Sequence, residues 1–586
     1  MFDKQSLKRI AAPLVALALV ACTSASGPVA EQPREGGGEA MAAAANPHAV
    51  DAAVEILRAG GSAVDAAIAA EMVLGLVEPQ SSGIGGGGFL LHYDGESEDL
   101  IAYDGRERAP AGARRDMFLD AEGEPLEFIT AQTSGRAIGA PSLVAMLKMA
   151  HDDHGRLPWG QLFEPAIRLA ESGFEVSPRF ARILAGYATR GRLRQDANAR
   201  RYFFDRRGRP RAVGYLLRNP EYAATLRAIA EQGPRALSEG PIAEAIVAAA
   251  RAEPLAGSLT LADLQAVTPR RLEPVCGAYR VYRACTLGPP SSGNATLAIL
   301  GLYQRARPQP EGPNNADDWA AFLWASRLAY ADRDHYMADD RFAPVPTRPL
   351  IAPAYLDARA RLIDLARAPA RMEPGAPAGR ELFEQWGRVQ SDDNGTTHIS
   401  IIDQWGDAVA LTATVESAYG SHRMVAGFFL NNQMTDFAFE PALNGRPVAN
   451  AVEPGKAPRS SMSPLIVLDR SGELVLVTGS PGGSSIIGYV ARTTIGILDW
   501  QLSPQAAIGL SNATARNSPV VIENERMPAG IAEALTARGW EFRNVGVLED
   551  SGLHAILVTD EGYVGGADPR REGVIGRVPA QQSPRQ

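Results

Sequence analysis

Apolar positions along the chain fall into two regimes. After Asn46-Pro47, a capping side chain followed by proline at the first helical position, Ala49, Ala53, Ile56 and Leu57 recur at helical spacing. Gly60-Gly61 stops that pattern, and a second helix is expected from Ala63 to Leu76. Helical periodicity dominates residues 140–345, in Ser142–His151, Trp159–Ser172, Glu221–Glu231, Pro241–Ala252 and Trp319–Asp334. From Thr396 the period drops to two: His398–Asp403, Ala408–Thr414 and Leu474–Thr478 alternate as strands do, with Gly, Pro and Asn turns between them. Pro369–Pro377, rich in Pro and Ala, reads as an exposed linker. Helices first and strands second predict an α+β protein with helices layered on sheets.

Two local patterns sharpen this picture. Gly83-Ile84-Gly85-Gly86-Gly87-Gly88 formally fits G-x-G-x-x-G, but a turn precedes it and a strand, Phe89–Tyr93, follows. That is the reverse of the dinucleotide-binding context, so the glycines are expected to serve close backbone approach in a core turn. Gln404-Trp405-Gly406 reads as a three-residue hairpin loop with Gly where a left-handed residue is needed. If Asp403 pairs with Asp407, Thr396 faces Thr414 at a cross-strand distance of roughly 5 Å.

Composition limits the function classes. Of 586 residues, 45% are apolar and 21% charged, as in globular proteins. Lys+Arg 58 against Asp+Glu 67 gives a net charge of −9, which argues against a nucleic-acid binder working by phosphate neutralisation. Met1–Arg9 carries Lys4, Lys8 and Arg9, and the apolar run Ile10–Ala21 is too short to span a bilayer, which is the layout of a secretory leader. Leu19-Val20-Ala21-Cys22 resembles a bacterial lipobox, which implies lipidation at Cys22; a plain signal peptide is the alternative. Residues 1–21 are thus expected to be a leader and 22–41 a flexible tether, with the protein in the periplasmic cell envelope and touching a membrane only through the lipid. For Cys276 and Cys285, nine residues apart, a local disulfide and two half-buried thiols both stay open.

The chemistry enters through a set of segments. Asn46-Pro47-His48-Ala49, Gly60–Ala67, Arg106-Glu107-Arg108-Ala109-Pro110, Thr396-Thr397-His398, Leu430–Met434, Ser460–Pro464, Gly479–Ser484 and Gly566–Arg570 occur in this order across nearly the whole chain. Together they resemble the γ-glutamyltransferase family of the N-terminal-nucleophile hydrolase superfamily. The resemblance implies a four-layer αββα sandwich built jointly by a large subunit, residues 42–395, and a small one, residues 396–586. It implies autocatalytic scission between Gly395 and Thr396. The freed α-amine of Thr396, ordinarily near pKa 7.7–8, would then serve as base for its own hydroxyl. By the same resemblance Thr414 supports the nucleophile, and Gly482 and Gly483 supply the oxyanion hole. Arg106, helped by Ser460 and Ser461, takes the substrate α-carboxylate; Asp436, with Gln433 and Glu416 nearby, takes the ammonium.

The implied reaction is hydrolysis or transfer of γ-glutamyl groups from glutathione and related donors to water, amino acids or peptides. Two alternatives stay open: a cephalosporin- or glutaryl-type acylase on the same fold, and a catalytically dead surface lipoprotein. Only 23 residues separate Asp436 from Ser460, and no aromatic follows Phe439 there, so the aromatic lid of several relatives is expected to be absent. His398 is expected to be structural. No metal-ligand spacing stands out, and neither metal nor organic cofactor is expected.

Overall fold

The alternation that begins at Thr396 builds the hairpin at the centre of the molecule. The computed structural model describes residues 38–190, 192–383, 385–386, 395–547 and 550–580. The leader, Cys22 and most of the expected tether lie outside the described residues. In chain order the strands of the two main sheets are β1 (Ala40–Ala44), β2 (Gly87–Tyr93), β3 (Leu100–Gly105), β4 (Arg270–Leu272), β5 (Val275–Tyr279), β6 (Tyr282–Thr286) and β7 (Thr397–Ile402). They continue as β8 (Ala408–Thr414), β9 (Leu465–Leu468), β10 (Leu474–Gly479), β11 (His554–Thr559), β12 (Gly562–Ala567) and β13 (Val574–Val578). One sheet has the order β13-β1-β7-β8-β2-β3-β4 and the other β12-β11-β10-β9-β6-β5. The hairpin β7–β8 therefore lies between β1 and β2, which belong to the part of the chain before Gly395.

Among the described residues, the helices longer than eight residues are α1 (Pro47–Arg58), α2 (Ala63–Val77), α3 (Leu143–His154), α4 (Glu164–Ser172), α5 (Pro178–Arg190), α6 (Pro220–Gln232), α7 (Gly240–Ala250), α8 (Gly293–Ala306), α9 (Ala316–Tyr336) and α10 (Ile486–Leu498). Strand alternation sorts their partners. Ala42, Ile399, Ile401, Val409 and Leu411 share one core with α1 to α7. Met41, Ala43, Ile402, Ala408 and Ala410 face the second sheet, in a core that also holds α8, α9 and α10. The result is the four-layer αββα sandwich.

Local chemistry explains the elements around the hairpin. Asn46 caps α1 by accepting from His48 N, with Pro47 at the first helical position. Ser62 and Asp65 form a capping box on α2, and the Asp403 carboxylate accepts from Ala63 N at 2.8 Å, tying the hairpin loop to the same helix end. The glycine run is a close approach: a Cβ on Gly86 would lie 2.0 Å from the Thr414 carbonyl oxygen.

Some expectations need correction. Ala40 and Met41 are buried strand residues paired to β13, so the tether ends before residue 41. Trp159–Phe163 is a 3-10 turn, and α4 starts only at Glu164. The segment read as helical contains β4, β5 and β6. It also contains α8, which is buried on nearly every side and so lacks the polar stripe that marks an amphipathic helix. Pro369–Pro377 is irregular but docked: Met372 N donates to Asn517 Oδ1 at 2.9 Å and Gly375 N to Asp332 Oδ1 at 2.6 Å.

Cys276 and Cys285 face each other across β5–β6 and are joined by a disulfide. Closing so short a loop restrains the unfolded chain by about 2 kcal/mol. Cys276→Ser is expected to unfold at lower temperature than the parent, and added reductant should lower the parent's midpoint while leaving the variant's unchanged.

Candidate active site

The hairpin register is set at its loop. Asp403 N donates to Asp407 O at 2.9 Å, and the Asp403 carboxylate accepts from Trp405 N at 2.9 Å and Asp407 N at 3.1 Å. Gly406 sits at φ +85°. From there Ile402 pairs with Ala408 and Thr397 with Ala413, so one further step places Thr396 opposite Thr414. Their hydroxyls meet at 3.3 Å. Both also point at the Gly395 carbonyl oxygen: Thr414 Oγ donates to it at 2.5 Å, and Thr396 Oγ makes a short contact with it. Gly395 has φ +117°, and a Cβ there would lie 2.1 Å from the Glu416 carbonyl oxygen, so only glycine fits. Thr414 Oγ in turn accepts from Glu416 N at 2.8 Å, which fixes its rotamer.

One cleft gathers most of the predicted residues. It is lined by Arg106, Gly395, Thr396, Thr414, Glu416, Gln433, Asp436, Ser460, Ser461 and Gly483, with Met462 and Ile486 as apolar walls. In the uncut chain its volume is only about 10 Å³, room for roughly one water. Gly482 is not among the lining residues. It precedes Gly483 in a turn with φ +132° and +53° at the two glycines, between β10 and α10, and a Cβ on Gly482 would lie 2.6 Å from the Tyr489 ring.

Arg106 and Asp436 form a buried ion pair through Arg106 Nη2 and Asp436 Oδ2. Arg106 is held from behind by the carbonyls of Pro458 at 3.2 Å and Arg459 at 2.9 Å. Gln433 Nε2 donates to Asp436 at 2.7 Å, and Asn432 Nδ2 donates to Glu416. Both signs of charge thus converge beside the threonines. Ser461 Oγ accepts from Arg333 Nη2 at 2.5 Å, and Ser460 Oγ accepts from Met462 N at 3.2 Å. Beside Arg106, complete burial pushes the Glu107 carboxyl up to about 7, against the pull of the guanidinium.

His398 shares the inter-sheet face with Thr396. Its Nδ1 lies 2.8 Å from Thr412 Oγ and its Nε2 3.0 Å from Ser400 Oγ, and burial holds it well below its usual pKa. It is a neutral core histidine one strand-pair below the threonines. The segment after Asp436 carries a short exposed hairpin, with strands Ala442–Leu443 and Arg446–Pro447, while Phe439 stacks on Phe118.

A family model for gamma-glutamyltranspeptidase matches residues 49–578. The chain belongs to the gamma-glutamyltranspeptidase family. The glutathione hydrolase proenzyme of Escherichia coli (strain K12) is 35% identical over 548 residues, covering 91% of this chain and 90% of that protein. The glutathione hydrolase proenzyme of Bacillus subtilis (strain 168) is 32% identical over 547 residues, covering 92% and 91%. Among solved structures, the cephalosporin acylase from Bacillus halodurans is similar with a TM-score of 0.78 at 25% identity, over 94% of this chain and 98% of that one.

Within this gamma-glutamyltranspeptidase-family chain, several contacts had no sequence signal. Arg333 reaches Ser461 from α9, and Arg571 reaches the Thr396 carbonyl from the segment between β12 and β13. The Asp568-Pro569-Arg570 motif is absorbed in a fully buried ion network, with Arg570 Nη2 at 2.6 Å from Glu523 and Nη1 at 3.1 Å from Asp568. Among the described residues no cluster of side chains is arranged to hold a metal ion.

Thr414→Val keeps the strand shape and removes the hydroxyl that donates to the Gly395 carbonyl. A lost hydrogen bond of about 1.5 kcal/mol predicts self-cleavage at least about tenfold slower, with a thermal midpoint near the parent's. Timed denaturing electrophoresis of freshly made protein checks this.

Proposed function

We propose that the protein is a self-processing γ-glutamyl hydrolase/transferase, cleaving glutathione and related γ-glutamyl amides. The observation that carries this reading is the pair of threonine hydroxyls on the Gly395 carbonyl, beside a cleft that offers a buried guanidinium and buried carboxylates.

In self-processing, Thr396 Oγ attacks the Gly395 carbonyl carbon while Thr414 Oγ donates to its oxygen. The Gly395–Thr396 C–N bond breaks, an ester forms on Thr396 Oγ, and the Thr396 nitrogen leaves as an amine. Water hydrolyses the ester, giving a large fragment that ends at Gly395 and a small one that begins at Thr396. Departure of the Gly395 end opens a cleft that the uncut chain fills.

In turnover the new α-amine accepts the Thr396 hydroxyl proton. The oxygen attacks the γ-amide carbonyl of the donor, and the backbone N–H groups at Gly482 and Gly483 stabilise the oxyanion. The amine product takes the proton and leaves, and water or an acceptor amine resolves the γ-glutamyl ester. The donor's α-carboxylate binds Arg106, with Ser460 and Ser461 beside it, and its ammonium binds Asp436 and Glu416. The ion pair between Arg106 and Asp436 is thereby exchanged for two charge-matched contacts to a zwitterion, so the cleft stays electrically balanced with and without substrate. The short segment after Asp436 leaves the pocket open to water, which favours hydrolysis over transfer. The apolar leader and Cys22 fit an exported, lipid-anchored envelope protein.

The similarity to a cephalosporin acylase supports a second reading, an acylase for glutaryl-type amides, which carry the carboxylate but no ammonium. Two experiments separate the possibilities. Thr396→Ala is expected to remain one uncut chain with kcat at least about a thousandfold lower; an Ala variant that still cuts itself contradicts the route, as does a small fragment whose N-terminal sequence does not start at Thr396. Assayed on a γ-glutamyl anilide and its glutaryl analogue, the parent is expected to prefer the γ-glutamyl compound by at least about tenfold in kcat/KM, since one buried charge pair separates them. Activity confined to the glutaryl compound selects the acylase.

A further inference from the structure

Thr396 sits one residue outside the β7–β8 ladder, whose last pair is Thr397–Ala413. Scission would make it a chain end, and chain ends fray unless something ties them down. The structure contains such a tie. Arg571 Nη1 donates to the Thr396 carbonyl oxygen at 3.0 Å. The same guanidinium donates from Nε to Ser551 O at 2.8 Å and from Nη2 to Asp550 O at 3.0 Å. Its Nη1 also lies 3.3 Å from Glu78 Oε2 and 3.3 Å from Ser81 Oγ. Glu78 is held in turn by Arg179 Nη1 at 2.6 Å.

The group is rigid and sealed. Arg571 is 7% exposed, Glu78 1% and Arg179 6%. Burial draws the Arg571 guanidinium down to about 10, so it still carries its charge at neutral pH. A planar fork with all three nitrogens engaged cannot swing away without leaving buried acceptors unmet. Glu78 and Arg179 precede Gly395 and Arg571 follows it, so the tie crosses between the two fragments that processing would create.

We infer that Arg571 is the positioning residue for Thr396, anchored by Glu78 and Arg179 of the large fragment. It fixes the carbonyl end of the nucleophilic residue. The hydroxyl thereby stays aimed at the Gly395 carbonyl before the cut, and both the hydroxyl and the α-amine stay aimed at the donor carbonyl after it. Arg571 acts through Thr396 and touches no substrate. The inference rests on Thr396 being the nucleophile.

The test uses full-length Arg571→Met and Arg571→Lys, with self-cleavage timed by electrophoresis and kcat and KM measured on a γ-glutamyl anilide. Misplacing a reacting atom by about 1 Å costs up to a hundredfold. Arg571→Met is therefore expected to slow self-cleavage and lower kcat by about ten- to a hundredfold, with KM within about twofold of the parent. Arg571→Lys, which retains the charge and one donor for the Thr396 carbonyl, should recover at least about threefold of that loss in both rates. Parental rates in both variants overturn the inference, as does a loss that follows only the folded fraction measured by thermal unfolding. If the Met variant does not fold, the Lys variant decides: lowered kcat at parental KM supports the role, and parental kcat rejects it. N-terminal sequencing of the parent's small fragment separates the two readings. A start elsewhere than Thr396 removes the nucleophile itself, whereas a start at Thr396 with parental rates in both variants removes only Arg571.

Discussion

The structure turns on a single cross-strand pairing. Thr396 and Thr414 face each other with the Gly395 carbonyl between them, and every other feature of the cleft is arranged around that triangle. Side chains alternate along a strand, so a slip of one residue would turn Thr396 toward the helices and leave the carbonyl without its donors. The register is secured at the far end of the hairpin, where the Asp403 carboxylate collects Trp405 N, Asp407 N and Ala63 N. Burial and the neighbouring Asp407 push that carboxyl up to about 7, a cost borne at the position that sets the alignment.

The sheet order gives the proposed scission after Gly395 a structural logic. The hairpin β7–β8 lies between β1 and β2, and β9 pairs with β6, so both sheets interleave strands from before and after Gly395. Cutting the Gly395–Thr396 bond would leave all these ladders in place. In the proposed scission the new chain end would stay inside the sandwich, and the two pieces would remain bound by shared sheets and a shared core. Buried charges follow the same plan: Arg106 with Asp436, and Arg571 with Glu78, each join a residue upstream of Gly395 to one downstream. Such pairs stay favourable only while both partners remain in place, because an unpaired buried charge is costly.

Much of this was legible in the amino-acid order, and the reason is locality. The capping of α1 by Asn46, the Gln404-Trp405-Gly406 loop and the period-two runs on either side of it are properties of a few adjacent residues. They were enough to place Thr396 opposite Thr414. The family resemblance likewise named most of the residues that line the cleft, while Gly482 lies outside the lining. Less legible were α8, whose all-round burial erases the helical stripe, and the strands between residues 270 and 286, which are short and lie within a helical stretch. Cys276 and Cys285 stood undecided between thiols and a disulfide until the hairpin register brought them face to face.

By itself the sequence determined the elements with a local signature and the hairpin register that sets Thr396 opposite Thr414, because turn chemistry, capping and alternation act over short distances. Only the tertiary structure decided which distant side chains meet: Arg571 with the Thr396 carbonyl, Arg333 with Ser461, and Arg106 with Asp436 across 330 positions of chain. Those contacts depend on how layers stack and which buried donors must find acceptors. No local pattern encodes that, because the partners become neighbours only when both sheets and their helices close around one core.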